Sequence, residues 1–145
     1  MTNSLSAFFA QNAGKPKKVE KAISKRFKDE NGEPIKFVFK AITPAKDTEL
    51  QNKSMKKKLI TQGPKKGQYE QDFDPMYYQL LLTIESIEFP NLKDAELQNT
   101  YGVMDEVGLY NAMLLPAESV DAYAAAQEAN GYEHSMKELV EEAKN

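Results

Sequence analysis

The spacing of hydrophobic positions changes period twice along this chain, and each change marks a different kind of element. Leu5, Phe8 and Phe9 stand at i, i+3 and i+4, which predicts a short helix from about Ser4 to Asn12 with one apolar face. Lys15, Pro16, Lys17 and Lys18 end it, so residues 1–14 read as an apolar N-terminal arm. A helix that short is marginal alone; its stripe must dock on the chain's own core, on a partner or on a sister subunit. From Val19 the pattern becomes strand-like. Runs at Val19 through Phe27 and Ile35 through Ala41 flank Asn31-Gly32, two residues that tolerate positive φ, and this predicts a β-hairpin over 17–42. In the second run Ile35, Phe37 and Phe39 alternate with Lys36, Val38 and Lys40, leaving an apolar face that needs a cover.

Helical spacing returns at Thr43-Pro44, a cap residue followed by proline in the first turn, with Asp47 and Glu49 near the positive end of the helix dipole. This helix is expected to run to about Lys58, followed by a mobile lysine-rich loop at about 59–68 that contains Gly63, Pro64 and Gly67. Asp74-Pro75 repeats the signature and opens the strongest helix, with Tyr77, Leu80, Leu81, Ile84 and Ile87 on one stripe and Pro90 as its stop. Asp94 caps a short helix bearing Ala95, Leu97 and Tyr101, which Gly102 ends. Val107, Tyr110 and Leu114 define the next, closed at Pro116. Pro116 then starts an alanine-rich helix through Val120, Tyr123, Ala124 and Gln127, terminated at Asn130-Gly131 by a left-handed residue. Ser135 and Glu138 have capping-box spacing ahead of Leu139, Val140 and Ala143. The expected fold is α+β and mainly α-helical: an N-terminal β-hairpin packed against a bundle of about five or six helices. The helical part spans 43–145 of a single domain, 1–145.

Composition narrows the chemistry. The 145 residues, 41% of them hydrophobic, are enough for one domain with its own core. The absence of cysteine excludes disulfides, thiolate catalysis, iron–sulfur clusters and cysteine-based zinc sites. His134 is the single histidine, so a two-histidine metal site would need a second chain. No run approaches the roughly 18 apolar residues of a membrane span, and the N-terminus lacks the basic start and long apolar centre of a secretion signal. A soluble, cytoplasmic protein is expected.

The carboxylate pairs Asp72/Asp74, Glu85/Glu88, Asp105/Glu106 and Glu141/Glu142 read as helix caps and solvated faces, since no aromatic platform accompanies them. Asp72 and Asp74 lack the glycine and the bidentate glutamate of a calcium loop. Gly63 and Gly67 lack the Gly-Lys-Ser/Thr ending and the leading strand of a phosphate loop. No catalytic, cofactor-binding or metal-binding constellation is predicted.

The net charge of −3 conceals a polarity: residues 1–66 carry 16 Lys+Arg against 6 Asp+Glu, and residues 67–145 carry 3 against 16. A basic half suits nucleic acid or an acidic partner, and an acidic half suits basic helices. Arg26 is the only arginine, which weakens the nucleic-acid reading because bidentate phosphate and guanine contacts favour arginine.

Five segments carry a family resemblance: RFKDENGEPIKFVFKAIT (Arg26 to Thr43), QYEQDFD (Gln68 to Asp74), FPNLKDAELQNTYGV (Phe89 to Val103), MLLPAE (Met113 to Glu118) and EANGY (Glu128 to Tyr132). In this order they resemble the XkdN-like tail assembly chaperones of contractile-tailed phages, prophages and phage-tail-like particles of Gram-positive bacteria. The resemblance runs from about Leu5 onward, is most specific between Phe89 and Val103, and departs most clearly in a lysine-rich insertion at about 53–66.

It implies a non-enzymatic protein of the bacterial host cytoplasm that binds and solubilises the tape measure protein. Such a protein assists assembly of tail tube subunits around that client and is absent from the finished tail. It also implies a frameshifted longer form as a further partner, and no cofactor. The segments that detach most easily are terminal and amphipathic, so Leu5, Phe8 and Phe9 together with Leu139 and Val140 are the expected client-binding residues. The competing readings are a nucleic-acid-binding regulator using the lysine stretch and a structural component that stays in the tail.

Overall fold

The computed structural model describes residues 4–132. In chain order it contains a single 3-10 turn at Leu5–Phe8, β1 (Val19–Lys21), β2 (Phe37–Phe39), α1 (Pro44–Lys53), β3 (Met55–Leu59) and β4 (Tyr69–Phe73). There follow α2 (Pro75–Ser86), β5 (Ile87–Phe89), α3 (Ala95–Thr100), α4 (Glu106–Met113) and α5 (Pro116–Ala129). The strands form two antiparallel sheets, one ordered β1-β2-β5 and one made of β3 and β4 alone. The class is α+β as expected, but a three-stranded sheet and a separate two-stranded hairpin replace the single hairpin against a bundle.

The first hairpin pairs where expected at its base, with Val19 opposite Phe39 and Lys21 opposite Phe37. Beyond Lys21 the ladder stops, because Ile23 and Ser24 turn inward and become buried. An isolated bridge between Lys28 and Pro34 resumes it around a turn in which Asp29 Oδ1 accepts the N–H groups of Asn31 and Glu33 and Gly32 takes φ +80°. Only the ends of the two runs are therefore strand.

Two helix boundaries also differ. α2 stops at Ser86, and Ile87, expected on its stripe, enters the central sheet beside Phe39. α1 stops at Lys53 rather than Lys58. The side chain of Ser54 is buried and bonds to the Leu50 carbonyl at 2.8 Å, and the following residues become β3. Lysine and methionine are good helix formers, but tertiary pairing with Tyr69–Phe73 overrides that weak preference. The expected loop at about 59–68 corresponds to the connection between these two strands, residues 60–68.

The core lies where the sheet meets α2, α4 and α5. It contains Phe37, Phe39, Ile84, Ile87, Leu109, Tyr110, Met113 and the alanine stripe Ala122, Ala125, Ala126 and Ala129. Along α5, Val120 and Ala124 are exposed while Ala122, Ala125, Ala126 and Ala129 are buried. Methyl groups face the sheet because the helix approaches closely, and larger side chains there would overpack it. The expected caps hold at Thr43, Asp74 and Asp94, which accept the N–H groups of Lys46, Tyr77 and Leu97.

Four of the ion pairs join a cation of the basic half to a carboxylate of the acidic half: Lys18–Glu88, Arg26–Glu118, Lys46–Glu85 and Lys56–Asp74. Arg26 and Glu118 form the most organised of these. The guanidinium donates to Glu118 Oε1 at 2.7 Å and to the Met113 carbonyl at 2.6 Å. The same carboxylate accepts the Leu115 N–H at the start of α5, at 2.8 Å. That backbone bond, then Ser24 and Arg26, hold the Glu118 carboxyl down to about 2, from an ordinary 4.5.

A carboxylate depressed in the native state stabilises above its unfolded value and loses that contribution as pH falls through the folded one. Stability to urea is therefore expected to decline from about pH 4.5 towards pH 2. Asp74, lowered chiefly by the Tyr77 N–H, adds to the same decline. Glu118→Gln should be less stable than the parent at pH 7 and converge with it near pH 2; a constant gap across that range would contradict the assignment.

Candidate protein-binding surface

Where the core is small and tight, the surface is unusually apolar in three places. The first is the N-terminal arm. Leu5 and Phe8 lie in the 3-10 turn and are 74% and 81% exposed, and Phe9 just after it is also exposed. The helix expected to Asn12 is only this single turn, held by bonds among Ser4, Ser6, Phe9 and Asn12. No residue of the turn is buried, so among the described residues the arm does not dock on the chain's own core. Leu139 and Val140 lie outside the described residues, as do His134 and the expected capping box at Ser135 and Glu138.

The second is a shallow groove of about 270 Å³ between α2 and α5, with Met76, Leu80, Val120 and Tyr123 on its walls. The third is the β3–β4 hairpin, every residue of which is exposed. Pairing places Met55 opposite Phe73, Lys57 opposite Gln71 and Leu59 opposite Tyr69. Side chains alternate across a strand, so these six residues share one face. The other face carries Lys56 opposite Asp72 and Lys58 opposite Glu70, two pairs of opposite charge.

The base of this hairpin is anchored. The Asp74 N–H bonds to the Ser54 carbonyl at 2.8 Å, and Lys56 pairs with Asp74 at 3.3 Å. Phe73 rests on the Tyr78 ring with centroids 5.7 Å apart. Tyr78 in turn donates to Asp47 of α1; burial first, and this carboxylate second, raise its phenol above the ordinary value. The hairpin thus projects from a cross-braced pair of helices. Sequence reasoning missed Met55, Leu59 and Phe73 as surface-forming residues. The signal was present in two alternating runs, Met55-Lys57-Leu59 and Tyr69-Gln71-Phe73, joined by a glycine- and proline-bearing turn.

A different groove, of about 970 Å³, runs beside β1 and the end of α5 and is lined by Lys17, Lys18, Lys21, Glu128 and Asn130. Among the described residues no group of three or more His, Asp or Glu side chains is placed to hold a metal ion. No helix among them is long and apolar enough to cross a membrane.

The described residues form a braced α+β body with open apolar faces, and comparison with known chains identifies its class. The chain belongs to the XkdN-like phage tail assembly chaperone family, whose model matches residues 5–144. It is 31% identical over 143 residues to the uncharacterised protein YqbN of Bacillus subtilis strain 168, covering 97% of this chain and 93% of YqbN. It is 30% identical over 143 residues to the phage-like element PBSX protein XkdN of the same strain, with the same coverage. The crystal structure of YqbN superimposes with a TM-score of 0.73 at 27% identity, covering 90% of this chain and 98% of that one. Membership of the family gives this chain a role in phage tail assembly.

The segments that carry the resemblance meet one another in the scaffold. Arg26 of the first reaches Met113 and Glu118 of the fourth. Asn130 of the fifth receives the Ile42 N–H of the first.

Proposed function

We propose that this chain binds the tape measure protein of its tail in the host cytoplasm, keeps it soluble while tube subunits assemble around it, and leaves before the tail is complete. Leu5, Phe8 and Phe9 form part of the client surface, with Leu139 and Val140 as the second terminal contribution. The role is non-enzymatic; the tube protein and a longer frameshifted form of the chain are its further partners. The observation that supports this reading is the arm itself: large apolar side chains held outside the core in a member of an assembly-chaperone family. Solvating them is costly, roughly 1.5–3 kcal/mol for each fully exposed side chain relative to a buried one, and a client would remove that cost.

The test is a tagged pull-down from cells assembling tails, with proteins identified by mass spectrometry and nucleic acid measured by absorbance. Recovery of the tape measure protein, retained as salt is raised, is the expected result. Capture of nucleic acid that is lost steeply with salt would favour the regulator instead, and the chain's presence in purified particles would favour a structural component. Deleting residues 1–12 is expected to reduce client capture by about tenfold or more, because few residues dominate such interfaces. The same deletion should leave Tm within about 2 °C, since the arm contributes nothing to the core. A large fall in Tm would show that the arm is structural.

A further inference from the structure

We infer that the face of the β3–β4 hairpin carrying Met55, Lys57, Leu59, Tyr69, Gln71 and Phe73 is a docking platform for an acidic amphipathic helix of a tail-assembly partner. The inference rests on the tail-assembly role only for the existence of a protein partner, and not on the identity of the client. Two apolar rows, Met55–Phe73 and Leu59–Tyr69, flank a central polar row in which Lys57 faces Gln71. All four large apolar side chains are exposed at least in part, from Met55 at 38% to Tyr69 at 67%.

The dimensions suit one helix. Two strands are about 5 Å apart, so the platform with its side chains is about as wide as a helix of roughly 10 Å diameter. The apolar rows lie four residues apart, or about 13 Å along the strand, and positions i and i+8 of a helix are about 12 Å apart. A helix with apolar residues at i and i+8 would meet both rows, and its residue i+4 would fall over Lys57.

Charge selects the sign of that residue. Between Lys53 and Lys66 there are six lysines and no acid. Lys57, Lys65 and Lys66 make no ion pair among the described residues, whereas Lys56 is held by Asp74 on the opposite side. Glutamate or aspartate at i+4 gains Lys57, and further acids towards the hairpin tip gain Lys65 and Lys66. Strand addition is the poorer alternative, since β3 presents Met55 followed by three successive lysines, a common guard of edge strands. A second copy is also the poorer occupant: no described helix exposes two large apolar side chains eight residues apart around an acid.

The probe is a fluorescein-labelled helical peptide of 18 residues with leucine at i and i+8 and glutamate at i+4, titrated with the full chain and followed by anisotropy. Saturable binding is expected, weakened at least tenfold by Lys57→Glu and restored when that variant meets a peptide with lysine at i+4. The double variant Leu59→Ser, Tyr69→Ser should abolish binding while its melting curve overlays the parent's, because both side chains are exposed. Absence of saturable binding, or equal binding by Lys57→Glu, overturns the inference. So does self-association of the parent that the serine variant abolishes, or tighter binding of a single-stranded DNA 20-mer than of the peptide. If the peptide binds as described but the pull-down recovers no tape measure protein, the platform stands and the proposed client falls.

Discussion

Truncating Phe39 to alanine is expected to lower the unfolding free energy by about 3–5 kcal/mol and Tm by on the order of 10 °C. Phe39 is 0% exposed and sits on the middle strand, between β1 and β5, with Phe37 stacked beside it at 6.4 Å. Its removal takes away transfer free energy and leaves a cavity that two flanking strands and a close alanine helix cannot collapse into. Urea denaturation of parent and variant measures the difference. A loss below about 1 kcal/mol would mean that the site relaxes, and that the core is centred elsewhere.

The second large effect comes from a polar group. Asn130, just after α5, receives the Ile42 N–H on Oδ1 at 2.9 Å and donates from Nδ2 to Ser86 Oγ at 3.0 Å and the Ala126 carbonyl at 2.8 Å. One side chain thereby fastens the ends of α2 and α5 to the chain leaving β2. Ser86 is fully buried, and no buried side-chain nitrogen or oxygen among the described residues lacks a partner. Asn130→Ala leaves the Ile42 N–H and Ser86 Oγ unmatched, at about 1–3 kcal/mol for each group that water cannot reach. Asn130→Asp keeps the acceptor but replaces the amide donor with a carboxylate facing the Ala126 carbonyl. Equal chemical-denaturation midpoints for the parent and the alanine variant would show that solvent takes over both contacts.

Charge polarity in the sequence has a different meaning in the fold. Four ion pairs between the halves show that the basic first half is partly the counter-charge of the acidic second half, built in chain order and interleaved in space. Each exposed pair contributes little, of order 0–1 kcal/mol, but together they match the sign of facing elements. On the second hairpin Lys57, Lys58, Lys65 and Lys66 make no ion pair among the described residues. Lys56, Lys57 and Lys58, expected at the end of a helix, lie on β3, whereas Lys65 and Lys66 stand in the connection between the two strands, within the expected loop.

The elements with strong local chemistry were legible before folding was considered. Thr43-Pro44, Asp74-Pro75 and Asp94 open helices because their side chains meet N–H groups three residues away, a contact that needs nothing beyond the local chain. Gly131 was legible at the end of α5 for the same reason, and takes φ +88°. The family, too, was legible from short segments in order, and it is the family to which the chain belongs.

Tertiary structure decided the rest, wherever a residue's state depended on a partner remote in sequence. Lys56–Leu59 is strand because Tyr69–Phe73 lies beside it, and Ile87 leaves its helix because Phe39 offers a ladder. Val120 faces water and Ala122 the core because the sheet sits close to α5, a distance that no periodicity encodes. Sequence alone thus determined where α1, α2 and α3 begin, that cysteine chemistry is absent, and which family this is. Only the fold determined which apolar residues stay outside, since exposure is set by what the remainder of the chain fails to cover.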